Sequence, residues 1–208
     1  MYSIDIIALN WGIAIVIFFF IVWIIMAKKL LKTEPKEIKV NLADRYDDIS
    51  ADKLKKFEID SNDFKKMVYE KFTLIHNALS KYDYETLKKN LTNDLYQYYV
   101  SQLEILKQIK RKNFMNNFEL LDIKIYNVSN EHDLLRIDVY LNVRMLDYVV
   151  DIDTNECING SNSDKIDYEF ELRFEKRGNG NSIKKQFVMS KKTCINDMVS
   201  KIDKMENS

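Results

Sequence analysis

The start of this chain constrains it most. Residues 6–27 read IIALNWGIAIVIFFFIVWIIMA, with Asn10 the only clearly polar side chain and no charge. About 20 apolar residues in a helix cover the roughly 30 Å of a bilayer's hydrocarbon core, so a run of this length predicts a transmembrane helix. The rest of the chain is charged and patterned like a water-soluble domain. The expected layout is an anchor over residues 1–27 and a module held at one face of the membrane.

The flanks set the expected orientation. Asp5 is the only charge before the run, whereas Lys28, Lys29, Lys32, Lys36 and Lys39 come closely after it. Lys and Arg beside a spanning helix are retained on the cytoplasmic side, which puts the N-terminus outside and the C-terminal part in the cytoplasm. A cleaved signal peptide needs a basic start, a shorter apolar core and small residues at the cut site, and none of these is here. The expected localisation is therefore a cell membrane, crossed once.

Beyond the anchor about 180 residues remain, enough for one ordinary domain and a tether. The chain balances 32 Lys and Arg against 32 Asp and Glu, which argues against direct, specific nucleic-acid binding. Cys157 and Cys194 are far apart in sequence and form no Cys-x-x-Cys pair, which suits a reducing compartment. With four glycines and one proline there is no glycine-rich phosphate loop.

Residues 28–60 read as a polar, basic tether. Within it, residues 51–59 form a short amphipathic helix with Leu54 and Phe57 on one side. Such a segment lies either on the lipid surface or on its own domain, and the sequence leaves both open. A clear helix comes next, in which Phe64, Met67, Val68, Phe72, Ile75 and Leu79 keep the spacing of a buried stripe. Ser61 or Asp63 caps its start. A short helix over residues 84–90 leads to Thr92, an expected N-cap. A second stripe then runs through Leu95, Tyr98 or Tyr99, Gln102, Leu106 and Ile109, ending at Lys110-Arg111-Lys112.

After Asn113 the period falls to two. Leu121, Ile123 and Ile125 alternate with polar residues; so do Leu135, Ile137, Val139, Leu141, Val143 and Met145; so do Ile166, Tyr168, Phe170, Leu172 and Phe174. An antiparallel sheet packed on one face and wet on the other has this pattern. Asn130-Glu131-His132, residues 159–164 and Gly178-Asn179-Gly180 supply the connections, and a weaker strand spans residues 183–189. Helices first and strands afterwards give an α+β fold, with helices packed on one face of a curved antiparallel sheet.

Two stretches carry a family resemblance. Leu91-Thr92-Asn93-Asp94-Leu95-Tyr96, with Gln102-Leu103 and Leu106, resembles the second long helix of the Tim44-like domain. That domain belongs to the scaffold of the mitochondrial import motor and occurs in bacterial membrane proteins. Arg144-Met145-Leu146-Asp147-Tyr148-Val149-Val150-Asp151, running on to Asn155-Glu156 and Gly160, resembles the family's strand-end and hairpin. The aromatic strand over residues 168–174 and Lys176-Arg177 close the match. The resemblance implies a Tim44-like domain over residues 61–192 and a tail over 193–208. It implies a cone-shaped fold similar to nuclear transport factor two, with a pocket between sheet and helices. Phe64, Phe72, Tyr168, Phe170 and Phe174 are the candidate pocket lining; core packing explains them equally well. The implied partners are the membrane and a translocon, ribosome or chaperone. Some bacterial relatives continue into a zinc ribbon that opens with Cys-x-x-Cys, but Cys194-Ile195-Asn196-Asp197 keeps one thiol, so no metal and no cofactor is expected.

The residues themselves offer little chemistry. His76 and His132 are the only histidines, too few for a histidine metal site or a base–nucleophile pair. His76, beside the Ile75 stripe, reads as structural or surface, and His132 as a turn residue. Asp147, Asp151 and Asp153 lack the glycine and distal glutamate of a calcium loop and read as solvated turn carboxylates. No catalytic residue is expected. Lys28, Lys29, Lys32, Lys36 and Lys39 are the candidate membrane contacts, since juxtamembrane cations gain about 1 kcal/mol each at an anionic leaflet. The topology signal alone accounts for them equally well. A docking protein is the expected function. An assembly component of a type IV secretion apparatus, with its domain outside the cytoplasm, and a small-molecule- or lipid-binding cone fold are the alternatives.

Overall fold

The computed structural model describes residues 45–177 and 187–195. The expected anchor, the five juxtamembrane lysines and the Gly178-Asn179-Gly180 turn lie outside the described residues. Among the described residues, no helix is long and apolar enough to cross a membrane. Helices α1 (Ser50–Lys55), α2 (Ser61–Lys81), α3 (Tyr84–Asn90) and α4 (Asn93–Gln108) precede strands β1 (Arg111–Glu131), β2 (Leu134–Asp151), β3 (Cys157–Arg177) and β4 (Val188–Cys194). The strands form one antiparallel sheet in the order β1-β2-β3-β4, curved and unclosed. The architecture is α+β, as the order of the two periods implies.

Helix α2 is the central packing element. Phe64, Met67, Val68, Phe72 and Ile75 are all buried, as their spacing requires, and Leu79 is half-buried at the end of the stripe. Its N-cap is Asp60 rather than Ser61 or Asp63: the Asp60 carboxylate accepts the Asp63 backbone N–H at 2.8 Å. Asp63 lies in the first turn instead, where a negative charge suits the helix dipole. The helix ends at Tyr82 in the left-handed region (φ 56°). Asp83 then caps α3 by accepting from the N–H and the hydroxyl of Thr86.

On the inner face of the sheet, Ile137, Val139, Leu141, Val143 and Met145 of β2 are fully buried, and Phe170, Leu172 and Phe174 of β3 complete the layer beneath α2. The outer face is tied together by charge. Arg144 bridges to Asp167 at 2.6 Å, and Arg173 to Asp138 at 2.6 Å. Yet Asp138 and Tyr140 on this face are buried. The cause is the segment ahead of α1. The Ile49 N–H donates to the Ile125 carbonyl at the β1 edge, the Tyr46 ring stacks on Tyr140 at 4.7 Å, and its hydroxyl donates to Glu171.

Residues 46–59, read as part of the tether, are therefore packed on the domain. Leu54 of α1 is fully buried and Ile59 nearly so, both within the same core as α2 and the sheet. Of the two placements open to this amphipathic segment, the structure shows the docked one.

Several element boundaries differ from the sequence reading: the helix expected over residues 51–59 is Ser50–Lys55, and the expected Asn130-Glu131-His132 connection narrows to residues 132–133. The basic Arg111 and Lys112 belong to β1, paired with Asp151 and Val150, and do not close α4. Residues 159–164 are not a connection: the β2–β3 turn is residues 152–156, and β3 runs on through Gly160. Gly160 pairs in register with Tyr148 and takes φ +76° so close to the strand beside it that a Cβ would sit 2.1 Å from the Asp147 carbonyl oxygen. The register shift lies next to it: Ser161 pairs with Asp147 and Ile166 with Met145, so residues 162–165 bulge opposite Leu146, and such a stretch reads from sequence much like a turn. The fourth strand spans Val188–Cys194, which overlaps the end of the expected 183–189; residues 183–186 lie outside the described residues.

Candidate functional site

Helix α4 crosses the inner face of the sheet without sealing against it. Of its sixteen residues only Leu103 is buried. Leu95, Tyr96, Tyr99 and Leu106 are half-buried, whereas Tyr98, Ile105 and Ile109 are 50–56% exposed. The expected stripe holds at Leu95, Leu106 and, of the two tyrosines, Tyr99; Leu103 joins it as the buried residue, while Gln102 and Ile109 are exposed at its margins.

The gap left beneath α4 is a cleft of about 210 Å³. Leu79 of α2, Leu103 and Leu106 of α4, and Met115 of β1 give it apolar walls. Tyr98, Tyr99, Gln102 and Asn113 add polar groups, and His76 and Lys192 stand at the sheet side. Burial pushes the Tyr99 phenol well above its ordinary pKa, so it is a neutral donor here. The Asn113 Oδ1 is buried without a hydrogen-bond partner.

His76 and Lys192 meet through a register detail. Phe174 pairs with Met189 but Arg173 pairs with Lys191, so Ser190 is an extra residue in β4. Without that bulge Lys191 would oppose Leu172 on the inner face. With it, Lys191 turns outward to Glu171, and Lys192 takes the inward position. The Lys192 ammonium lies over the Phe170 ring, 4.7 Å from its centroid, and reaches His76 Nε2 at 2.5 Å. His76 is 2% exposed, and its Nδ1 faces the Phe72 carbonyl at 2.7 Å. A ring nitrogen against a carbonyl must be the N–H, so Nε2 carries the lone pair that accepts from Lys192. Burial first, and the Lys192 charge second, hold the His76 pKa well below its ordinary value. The pair is a neutral imidazole supporting a cation.

The five candidate pocket residues stand elsewhere. Phe64, Phe72, Phe170 and Phe174 are core side chains, joined in edge and tilted ring contacts; Tyr168 is half-buried and stacked on Phe170. None of the five lines the cleft, although Phe72 and Phe170 lie directly behind the His76–Lys192 pair. His132 sits in the β1–β2 turn, exposed, with φ 50°. Asp151 accepts the backbone N–H groups of Asp153 and Thr154, which organises the β2–β3 turn and holds its carboxyl below the usual range. Asp153 pairs with Lys110. His76, read as structural or surface, is structural and buried; Lys192 is the residue that sequence reasoning missed. The phase of β4 was the only signal, and the bulge at Ser190 hid it.

No curated protein matches the chain. Among solved structures, the intermembrane space region of chloroplast protein ARC6 aligns at 13% identity and a TM-score of 0.43, covering 65% of this chain and 96% of that one. A designed β-sheet protein aligns at 15% identity and a TM-score of 0.28, covering 64% and 88%. Both likenesses are too distant to bear on function. The Tim44-like domain family, by contrast, matches residues 50–192, a span that includes the docked α1 and the inward Lys192. The chain belongs to the Tim44-like domain family.

Proposed function

We propose that this chain is a membrane-anchored docking protein that presents its Tim44-like domain to the cytoplasm and serves protein translocation, ribosome tethering or membrane-protein handling. One observation carries the reading: the family match over residues 50–192 stands directly downstream of a charge-free apolar run long enough to span a bilayer. The lysines between the two favour the cytoplasmic side, where they also meet anionic lipid. Helices on one face of a curved, open sheet suit a cone similar to nuclear transport factor two.

The test has two steps. The full chain should stay with membranes through an alkaline carbonate wash, and a chain lacking residues 1–27 should not. A photo-crosslinking residue in place of exposed Tyr98 should then join the membrane-bound chain to a translocon subunit, a ribosomal protein or a chaperone. Release by carbonate would sink the anchor. Retention without a cross-link to any of these three classes would sink the docking role.

A further inference from the structure

On the β2–β3 hairpin the Gly160 backbone N–H donates to the Asn159 Oδ1 at 2.8 Å, and both residues are exposed. From this we infer that Asn159 is a modification site, whose side-chain amide converts without an enzyme, through a succinimide, into aspartate and isoaspartate. This goes beyond the docking role and does not depend on it.

The reaction needs only water. The Gly160 nitrogen gives its proton to solvent and attacks the Asn159 Cγ. A new C–N bond closes the ring, the bond from Cγ to the side-chain nitrogen breaks, and that nitrogen leaves as ammonia. Water then opens the ring at one carbonyl or the other, which yields aspartate or isoaspartate.

Three features favour it. The nucleophile is in place: with a C=O bond of about 1.23 Å, a nitrogen 2.8 Å from Oδ1 stands about 4 Å from Cγ at most, near the roughly 3–3.5 Å at which groups react. The site is also open. Among the described residues β4 pairs with β3 only over residues 170–175, so residues 157–161 have β2 on one side and no strand on the other. Third, the residue after Asn159 has to be glycine. A bulky following side chain would shield the backbone nitrogen, but here φ is +76° and a Cβ would sit 2.1 Å from the Asp147 carbonyl oxygen. Asn155 and Asn162 are exposed on the same hairpin, yet Glu156 and Ser163 follow them. In isoaspartate the main chain runs through the former side-chain carbon, which adds a methylene between residues 159 and 160. The strand then no longer matches Val149 and Tyr148, its partners on β2, and it gains a negative charge.

The full chain in phospholipid nanodiscs is aged in mildly alkaline buffer made with heavy-oxygen water, digested in acid to halt the reaction, and sequenced by mass spectrometry. Heavy oxygen should enter residue 159, and isoaspartyl methyltransferase should label the peptide that carries it. The rate should lie within about tenfold of that in the urea-unfolded chain, and at least about tenfold above Asn155 and Asn162 in the same sample. Asn159→Gln, whose amide carbon is a methylene further along the side chain, should remove both signals from this peptide. Asn159 left intact under conditions that convert the unfolded chain would overturn the inference, since the strand would then shield it. So would conversion of Asn155 or Asn162 at the rate of Asn159, or a methyltransferase signal on this peptide that survives Asn159→Gln. The folded and unfolded samples are the unsubstituted protein, so their comparison holds whatever the variant does to folding, and no readout depends on membrane sidedness or on a protein partner.

Discussion

Burial and the neighbouring Lys192 ammonium, in that order, hold the His76 pKa well below its ordinary value, while the hydrogen bond to Phe72 opposes them. In the unfolded chain the same imidazole titrates near about 6.5. Below that pH the unfolded state binds a proton that the folded state does not, so this stability term is whole above about 6.5 and is lost as the pH falls toward the folded value. One group gives a slope of at most about 1.4 kcal/mol per pH unit. The urea midpoint of the full chain should therefore fall between about pH 7 and pH 5, and His76→Gln should flatten that window. An equal fall with and without His76 would assign the acid sensitivity to other groups. The sequence placed His76 beside a buried stripe, but its partner lies 116 residues away, and no local pattern links the two.

The elements follow their periods where packing is one-sided. Helix α2 and the middle stretches of β2 and β3 were legible because each packs an inner face, whereas in β1 only Ile125 is buried, and Leu121 and Ile166, expected on packed faces, are exposed. The pattern lost its grip where an element is covered on both sides or barely covered at all. Asp138 and Tyr140 occupy the wet phase of β2, yet Tyr46 and its segment cover them. In α4 a single buried residue leaves the tyrosines free to suit either side. Bulges at residues 162–165 and at Ser190 shift the phase midway along a strand, which an alternating pattern cannot show in advance. Helix α1 gives the sharpest test at this scale, since a tether residue and a core residue answer oppositely to truncation. Leu54→Ala should cost about 2–5 kcal/mol, read from the urea midpoint, because Leu54 is fully buried against α2 and the sheet. A change within a few tenths of a kcal/mol would mean that α1 does not dock.

At the scale of the whole molecule, membership of the Tim44-like family and the helices-then-sheet order were both readable from the chain. The cleft was less legible: of the two readings open for Phe64, Phe72, Phe170 and Phe174 the structure shows core packing, and the cleft beside them takes its polar groups from residues far apart in sequence. The docked segment over residues 46–59 belongs to the domain and not to the tether in which the charge pattern placed it. The central claim is that the anchor holds this domain on the cytoplasmic side. Cys157 is exposed and Cys194 half-buried, which makes Cys157 the reporter of choice. In a Cys194→Ala variant, a membrane-impermeant thiol reagent should label Cys157 only after the membranes of intact cells are opened. Labelling on intact cells would contradict the account and place the domain outside, as in an assembly component of a secretion apparatus.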